Sequence, residues 1–250
     1  MQSLSVILPA YNEADNIEAM VADVLRLLTV EDRPGEVLVV DDGSHDATWD
    51  VLCALQSRDD RVRPVRHEVN RGYGAALRTG FRAAQGDLVF FTDADRQFDV
   101  RELQTLLALT DRFDIVAGFR APRRDPANRR LNAWAWGQLV NGLFGLSIQD
   151  VNCAFKLFDR RVIEDLEIRS DGAFVNTEIL VRARAAGHSL AQVPVTHLPR
   201  VAGVQTGARP AVVARAFVEL VRLYGELQPL SRRRWRGAGR PSLRGLRRAS

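Results

Sequence analysis

The chain has 250 residues, 46% of them hydrophobic, which suffices for a packed core and excludes a disordered protein. Its net charge of +4 hides a split: residues 232–250 hold eight arginines and no acid, so residues 1–231 sum to −4. No apolar run approaches the ~18 residues of a membrane span.

Five short β-branched runs come in sequence: Leu4–Leu8, Val37–Val40, Val62–Val65, Leu88–Phe91 and Ile115–Ala117. Their starts lie 33, 25, 26 and 27 residues apart, the length of a strand–helix–strand unit. Between the first two, Ile17, Met20, Val21, Val24, Leu25 and Leu28 form an apolar stripe at helical spacing, with Asn12 or Asp15 as the expected N-cap. Val51, Leu52 and Leu55 behind Thr48, and Ala75 to Ala84 behind Gly74, predict two more helices. The alternation predicts an α/β fold, a mostly parallel sheet flanked by helices, over residues 1–120.

Beyond Arg120 the pattern changes. Residues 121–130 form a polar, arginine-dense loop, and a helix carrying Trp134, Trp136, Leu139, Val140 and Leu143 follows. Trp134 and Trp136 are two apart and cannot share a helix face, so one belongs in the core and the other on a ligand or a neighbouring surface. A mixed region holds Val151–Phe158, a helix spans Thr177–Ala186 before Gly187, and an amphipathic helix spans 211–227. Residues 1–230 are expected to be one domain, and 231–250 a disordered arginine-rich tail. Met1–Ser5 has no signal-peptide pattern, and Cys53 and Cys153 lack disulfide or metal spacing, so a cytoplasmic setting is expected.

In an open parallel sheet, ligands bind beyond the carboxyl ends of the strands, and the polar clusters sit there. They are Pro9-Ala10-Tyr11-Asn12-Glu13, Asp41-Asp42-Gly43-Ser44, Asn70-Arg71-Gly72-Tyr73-Gly74, Asp93-Ala94-Asp95 and Gly118-Phe119-Arg120. Taken alone, Asp41–Ser44 serves equally as a turn capping the helix near Thr48. Asp93 and Asp95 repel each other unless a cation or donors compensate, which favours Mg2+ or Mn2+ with Gln97 as a further oxygen ligand. Asn70–Gly74 has the look of a glycine-rich phosphate loop but no Walker lysine. Asp150 reads equally as a buried helix cap or a site residue. His45, His67, His188 and His197 show no ligand spacing and read as structural or surface residues.

In combination, Ser5–Glu13, Val39–Ser44, Asn70–Gly72 and Asp93–Asp95 resemble the family 2 glycosyltransferases of GT-A fold, over about residues 3–225. Asp95-Arg96-Gln97, Asp150–Lys156 and the Pro199-Arg200 loop are similar to the branch of dolichol-phosphate mannose synthases and polyprenyl-phosphate glycosyltransferases. The resemblance implies a GDP- or UDP-linked sugar donor, a divalent metal and inversion at the anomeric carbon. It implies that Pro9, Tyr11, Glu13, Asp41 and Asp42 hold the nucleoside, and that Arg71 also meets the donor. Asp93, Asp95 and Gln97 would hold the metal and diphosphate, and Arg120, Arg130 and Arg200 would meet donor or acceptor phosphates. Asp150 would orient the acceptor or act as base. Residues 1–120 would then be the nucleotide-sugar and metal part, and 121–230 the acceptor side.

Two departures stand out. Arg96 replaces the small or apolar residue common in the branch, which places a bulky charge beside the metal residues. After Arg200 the chain reads Val-Ala-Gly-Val-Gln-Thr-Gly where many members carry Gly-Ser-Lys. A family 2 enzyme acting on a soluble or glycan hydroxyl is the nearest rival. A binding module with a nucleic-acid-binding tail is a more distant one, since the acidic body offers nucleic acid no basic face. The eight terminal arginines suit peripheral contact with an anionic cytoplasmic leaflet equally as well as a solvated tail.

Overall fold

The computed structural model describes residues 1–199 and 210–234. The first apolar run forms β1 (Leu4–Ala10), buried along its whole length because consecutive residues, not alternate ones, are apolar. The other runs become β2 (Gly35–Asp41), β3 (Val62–Arg66), β4 (Leu88–Thr92) and β5 (Ile115–Arg120). They are joined by α1 (Ala14–Val30), α2 (Thr48–Gln56), α3 (Tyr73–Ala83) and α4 (Leu103–Leu107). Then come α5 (Ala127–Phe144), β6 (Phe155–Asp159), α6 (Arg160–Asp165), α7 (Val175–Ala186), β7 (Leu190–Val195) and α8 (Pro210–Arg234).

The seven strands form one sheet of order β3-β2-β1-β4-β6-β5-β7. All pairs are parallel except those of β6, which runs antiparallel between β4 and β5. β1 pairs with β2 on one side and β4 on the other, so strand order reverses there and a crevice opens beyond their carboxyl ends. The apolar side chains of β1, β2 and β4 with α1 and α3 make the main core, each fully buried aliphatic contributing roughly 1.5–3 kcal/mol. A second core joins α5, α7 and α8 through Val140, Phe174, Leu180, Leu220 and Leu223.

Several expectations change. Neither Asn12 nor Asp15 caps α1; Glu13 holds that position, because Asn12 adopts a left-handed conformation (φ 55°) and turns its side chain elsewhere. Residues 151–158 contain the antiparallel strand β6, and β7 is a further strand with no clear apolar run. α8 continues past residue 227 to Arg234, so the expected tail begins inside a helix; its remainder, and residues 200–209, lie outside the described residues. Of the tryptophan pair, Trp136 packs edge-on against Phe174 (6.2 Å) and Phe217 (5.4 Å), whereas Trp134 is 62% exposed. No helix among the described residues is long and apolar enough to cross a membrane.

Gly80 gives a stability test of the main core. Alanine normally improves a helix interior by about 0.5–1 kcal/mol, but a Cβ here would lie 2.4 Å from Ile7 Cγ2. Gly80→Ala is therefore expected to destabilise by about 1–3 kcal/mol, measured by urea unfolding, and the Gly80→Ala/Ile7→Ala double variant to lose less than the sum of the two single losses.

Candidate active site

The turn after β1 is sewn to the turn after β2. The Asn12 amide donates to Ser44 Oγ, the His45 amide to Asn12 Oδ1 and the Glu13 amide to Thr48 Oγ1, each at 2.9 Å. Glu13 in turn accepts from Asn16 Nδ2 at 2.7 Å. Tyr11 is left 40% exposed, with its ring 6.3 Å from that of His45 and edge-on to it. Pro9 is buried within β1 opposite Val40, so it shapes the crevice floor from inside the sheet.

The two carboxylates after β2 do different work. Asp42 is buried and accepts from His67 Nδ1 (2.6 Å) and from the backbone amides of Arg71 (2.9 Å) and Gly72 (2.8 Å). It therefore organises the loop that follows β3. Asp41 accepts from the Ser44 amide at 2.9 Å through one oxygen. Its other oxygen makes no hydrogen bond and lies 3.4 Å from Arg66 Nε. Neither caps α2, whose N-cap position is Ala47; Asp46, one residue earlier, accepts from the Thr48 amide at 3.0 Å.

The glycines of Asn70–Gly74 are explained by packing rather than by phosphate. A Cβ on Gly72 (φ 100°) would lie 2.4 Å from Asp171 O, and one on Gly74 would lie 2.3 Å from Ser170 O. The Gly74 amide uses this approach to donate to Asp171 O at 2.7 Å. The Arg71 side chain is exposed at the rim.

After β4, Tyr73 Oη donates to Asp93 Oδ1 (2.8 Å), and buried Asp95 accepts from the Gln97 amide (3.1 Å). Arg96 does not stand beside these carboxylates as expected. Its left-handed backbone (φ 58°) sends the guanidinium to Asp23 of α1, 3.0 Å away. Gln97 reaches toward the segment after β7, with Nε2 3.4 Å from Leu198 O and 3.5 Å from His197 Nε2. His197 is buried, and its Nδ1 has no hydrogen-bond partner. Burial, then the Arg120 charge, lowers its pKa and keeps the ring neutral. Among the described residues, no three His, Cys, Asp or Glu side chains gather into a ready-made cage. The donors present, two carboxylates and an amide oxygen, fit a hard divalent cation that completes its shell with a ligand's oxygens.

Across the crevice, Asp150 lies between arginines. Arg120 grips it with Nε (2.6 Å) and Nη2 (2.9 Å), and Arg123 Nη1 stands 3.4 Å away. Asp125 joins from the same loop, 2.7 Å from Arg123 Nε and 3.5 Å from Arg120 Nη1. Burial pushes the Asp150 carboxyl up, but hydrogen bonds from Arg120 and the charges of Arg120 and Arg123 outweigh it and hold the carboxyl below its ordinary range. Such a carboxylate is a poor base and a good clamp for Arg120. Arg123 and His197 were missed from sequence: the first is one of several arginines in a polar loop, and the second is a lone histidine. Arg130 is exposed on the first turn of α5, and Arg200 lies outside the described residues.

Because the folded pKa of Asp150 is depressed, its stabilising effect is present above the unfolded value of about 4 and fades as pH falls through the folded one. Asp150→Asn is expected to cost about 3 kcal/mol at pH 7, with the gap narrowing at pH 3.5 in urea titrations; a gap independent of pH would contradict this.

The sequence model of Glycosyl transferase family 2 matches residues 5–167. Glycosyltransferase AglD of Haloferax volcanii is 34% identical over 207 residues, 79% of this chain and 33% of that protein. The undecaprenyl-phosphate 4-deoxy-4-formamido-L-arabinose transferase of Edwardsiella ictaluri is 30% identical over 206 residues, 80% of this chain and 61% of that one. The chain thus spans less than two thirds of the length of these curated relatives. Among solved structures, glucosyl-3-phosphoglycerate synthase from Mycobacterium tuberculosis, in complex with Mn2+, UDP and glucosyl-3-phosphoglycerate, superposes with a TM-score of 0.73 at 21% identity, covering 90% of this chain and 80% of that one. Mannosyl-3-phosphoglycerate synthase from Rubrobacter xylanophilus gives 0.72 at 18%, covering 92% and 76%. With its sheet, its crevice and the matched residues all in agreement, the chain belongs to the family 2 glycosyltransferases and has the GT-A fold.

Proposed function

We propose that the chain moves a hexosyl group of the mannose or glucose type from a UDP- or GDP-linked sugar to a polyprenyl phosphate, with inversion and with Mg2+ or Mn2+. One observation carries this reading: the Asp93/Asp95 pair and the Asp150-centred arginine cluster share one edge of the sheet. Two relatives support the acceptor and donor chemistry, one named for undecaprenyl phosphate and one solved with Mn2+ and UDP.

In this reading residues 1–120 bind the nucleotide sugar. Tyr11 offers a ring to the base, and the Asp41 oxygen that makes no hydrogen bond accepts from a base N–H. Glu13 and Asp42 hold the surrounding turns in place, and Arg71 guards the rim. Asp93, Asp95 and Gln97 would hold the metal. When bound, the metal neutralises the charge that gathers on the departing diphosphate.

Residues 121–230 receive the acceptor. Arg120, Arg123, Arg130 and Arg200 bind its phosphate. A phosphate monoester has a second pKa of roughly 6, so its attacking oxygen is already ionised and needs no base. Asp150 acts by holding Arg120 in place. A hydroxyl acceptor needs a base, and a carboxylate engaged by two arginines serves that role badly, which disfavours the soluble-acceptor reading.

The apolar face suits a lipid. α5 contains no acid and exposes Leu131, Trp134, Leu139 and Leu143, and α8 exposes Val213, Phe217, Val218 and Val221. These helices would rest on the anionic cytoplasmic leaflet. The arginines of residues 232–250 would add about 1 kcal/mol each near the surface.

Purified protein given Mn2+, polyprenyl phosphate and a panel of nucleotide sugars is expected to form lipid-linked sugar, and Asp95→Ala to lose roughly a hundredfold or more of that rate. Turnover with water-soluble acceptors alone would favour the rival reading. On anionic liposomes, deleting residues 232–250 is expected to reduce flotation; unchanged flotation would remove the arginines from the membrane contact.

A further inference from the structure

Lys156 is the only lysine in the chain, against a background of arginine. It sits on the antiparallel strand β6, fully buried, and nothing in the mechanism above uses it. An ammonium carries three donors, and here three acceptors meet it: Val151 O at 3.3 Å, Cys153 O, and Asn176 Oδ1 at 3.0 Å. A planar guanidinium matches this three-sided cage poorly. Two of the acceptors belong to the turn just after Asp150, so Lys156 fixes the backbone that presents Asp150 to Arg120.

The third acceptor leads the other way. Asn176, on α7, also acts on the Tyr73 hydroxyl, its side chain opposing the rise in that hydroxyl's pKa as a donor does, and Tyr73 donates to Asp93 Oδ1 at 2.8 Å. Every donor in this path points the same way, from the ammonium through the amide and the phenol to the carboxylate. The path is buried at Lys156 and Asn176 and partly buried at Tyr73. It joins the two halves of the crevice through a single charged group.

We propose that Lys156, Asn176 and Tyr73 are positioning residues that hold Asp93 in the orientation required for metal and diphosphate, and tie that orientation to the turn bearing Asp150. The proposal rests on the metal reading given above. Tyr73 engages one oxygen of Asp93 and thereby fixes the carboxylate plane, as partners behind a metal ligand do. Asn176 keeps the Tyr73 hydroxyl aimed, and Lys156 keeps Asn176 from turning its amide over.

The test is Mn2+ binding by the full chain with saturating UDP or GDP, followed by electron paramagnetic resonance, alongside urea unfolding. Tyr73→Phe removes one hydroxyl and preserves volume; it is expected to weaken Mn2+ binding roughly 10-fold or more while the unfolding midpoint moves little. Asn176→Asp keeps an acceptor for Lys156 and loses the donor to Tyr73, so it is expected to weaken Mn2+ binding similarly. The double variant is expected to bind no more weakly than the weaker single one, because both changes cut one path. Wild-type Mn2+ affinity in Tyr73→Phe, or losses that multiply in the double variant, would overturn the path. Wild-type protein that binds no Mn2+ with either nucleotide would overturn the metal reading itself, and the path with it.

Discussion

Buried charge at the carboxyl edge of the sheet is the constraint to which the rest of the molecule answers. Asp41, Asp42, Asp95, Asp150 and Lys156 are all less than a tenth exposed. An ion stripped of water there costs several kcal/mol unless partners replace the solvent. Each therefore has a dedicated set. Asp42 draws two backbone amides, which is possible only because the loop from Asn70 to Gly74 lies flat against residues 170–172 through two glycines. Asp150 draws arginines from β5 and the loop that follows it, and Lys156 draws carbonyls from the turn below. Loop conformations that look arbitrary in sequence are the means of satisfying these groups.

The same constraint divides the labour between acids. Paired carboxylates at one strand end invite a single role, yet Asp41 and Asp42 differ sharply: one is saturated by the protein and one keeps an oxygen without a hydrogen bond. Asp150 is likewise saturated. An ionised group already matched by the fold supports its neighbours, and one left partly unmatched is where a ligand gains most. That distinction directs attention to Asp41 and His197 as ligand-facing groups, and to Asp42 and Asp150 as structural ones.

Four of the five strands, β1, β2, β4 and β5, and the helices α1 to α3 could be read directly because those strands are short, nearly continuous apolar runs and those helices keep their stripes; β3 shows only Val62 and Val65 around Arg63 and Pro64. β6 could not be read so: Lys156 interrupts its apolar run, and the oxygens that replace water around that charge come from α7 and from a turn, which no local pattern shows. β7 lacks a run because it lies at the sheet edge and half of it is only partly covered. The site's acids were found through their placement at strand ends, but their partners were not. Asn12 looked like a cap and bonds across to His45 instead; Arg96 looked like a metal-site charge and pairs with Asp23. Each error involves a polar side chain choosing a partner distant in sequence. Periodicity carries no information about such choices.

The cage around Lys156 has a chemical corollary. Amine-directed reagents find one side-chain target in the entire sequence, and it is sealed inside the sheet with its charge already shared among three oxygens. Burial pulls its pKa down to about 8, so once exposed it returns to an ordinary, slower-reacting ammonium, and while enclosed it meets no reagent at all. Acylation at this position therefore counts openings of the sheet around β6, against a surface built of arginine that stays silent.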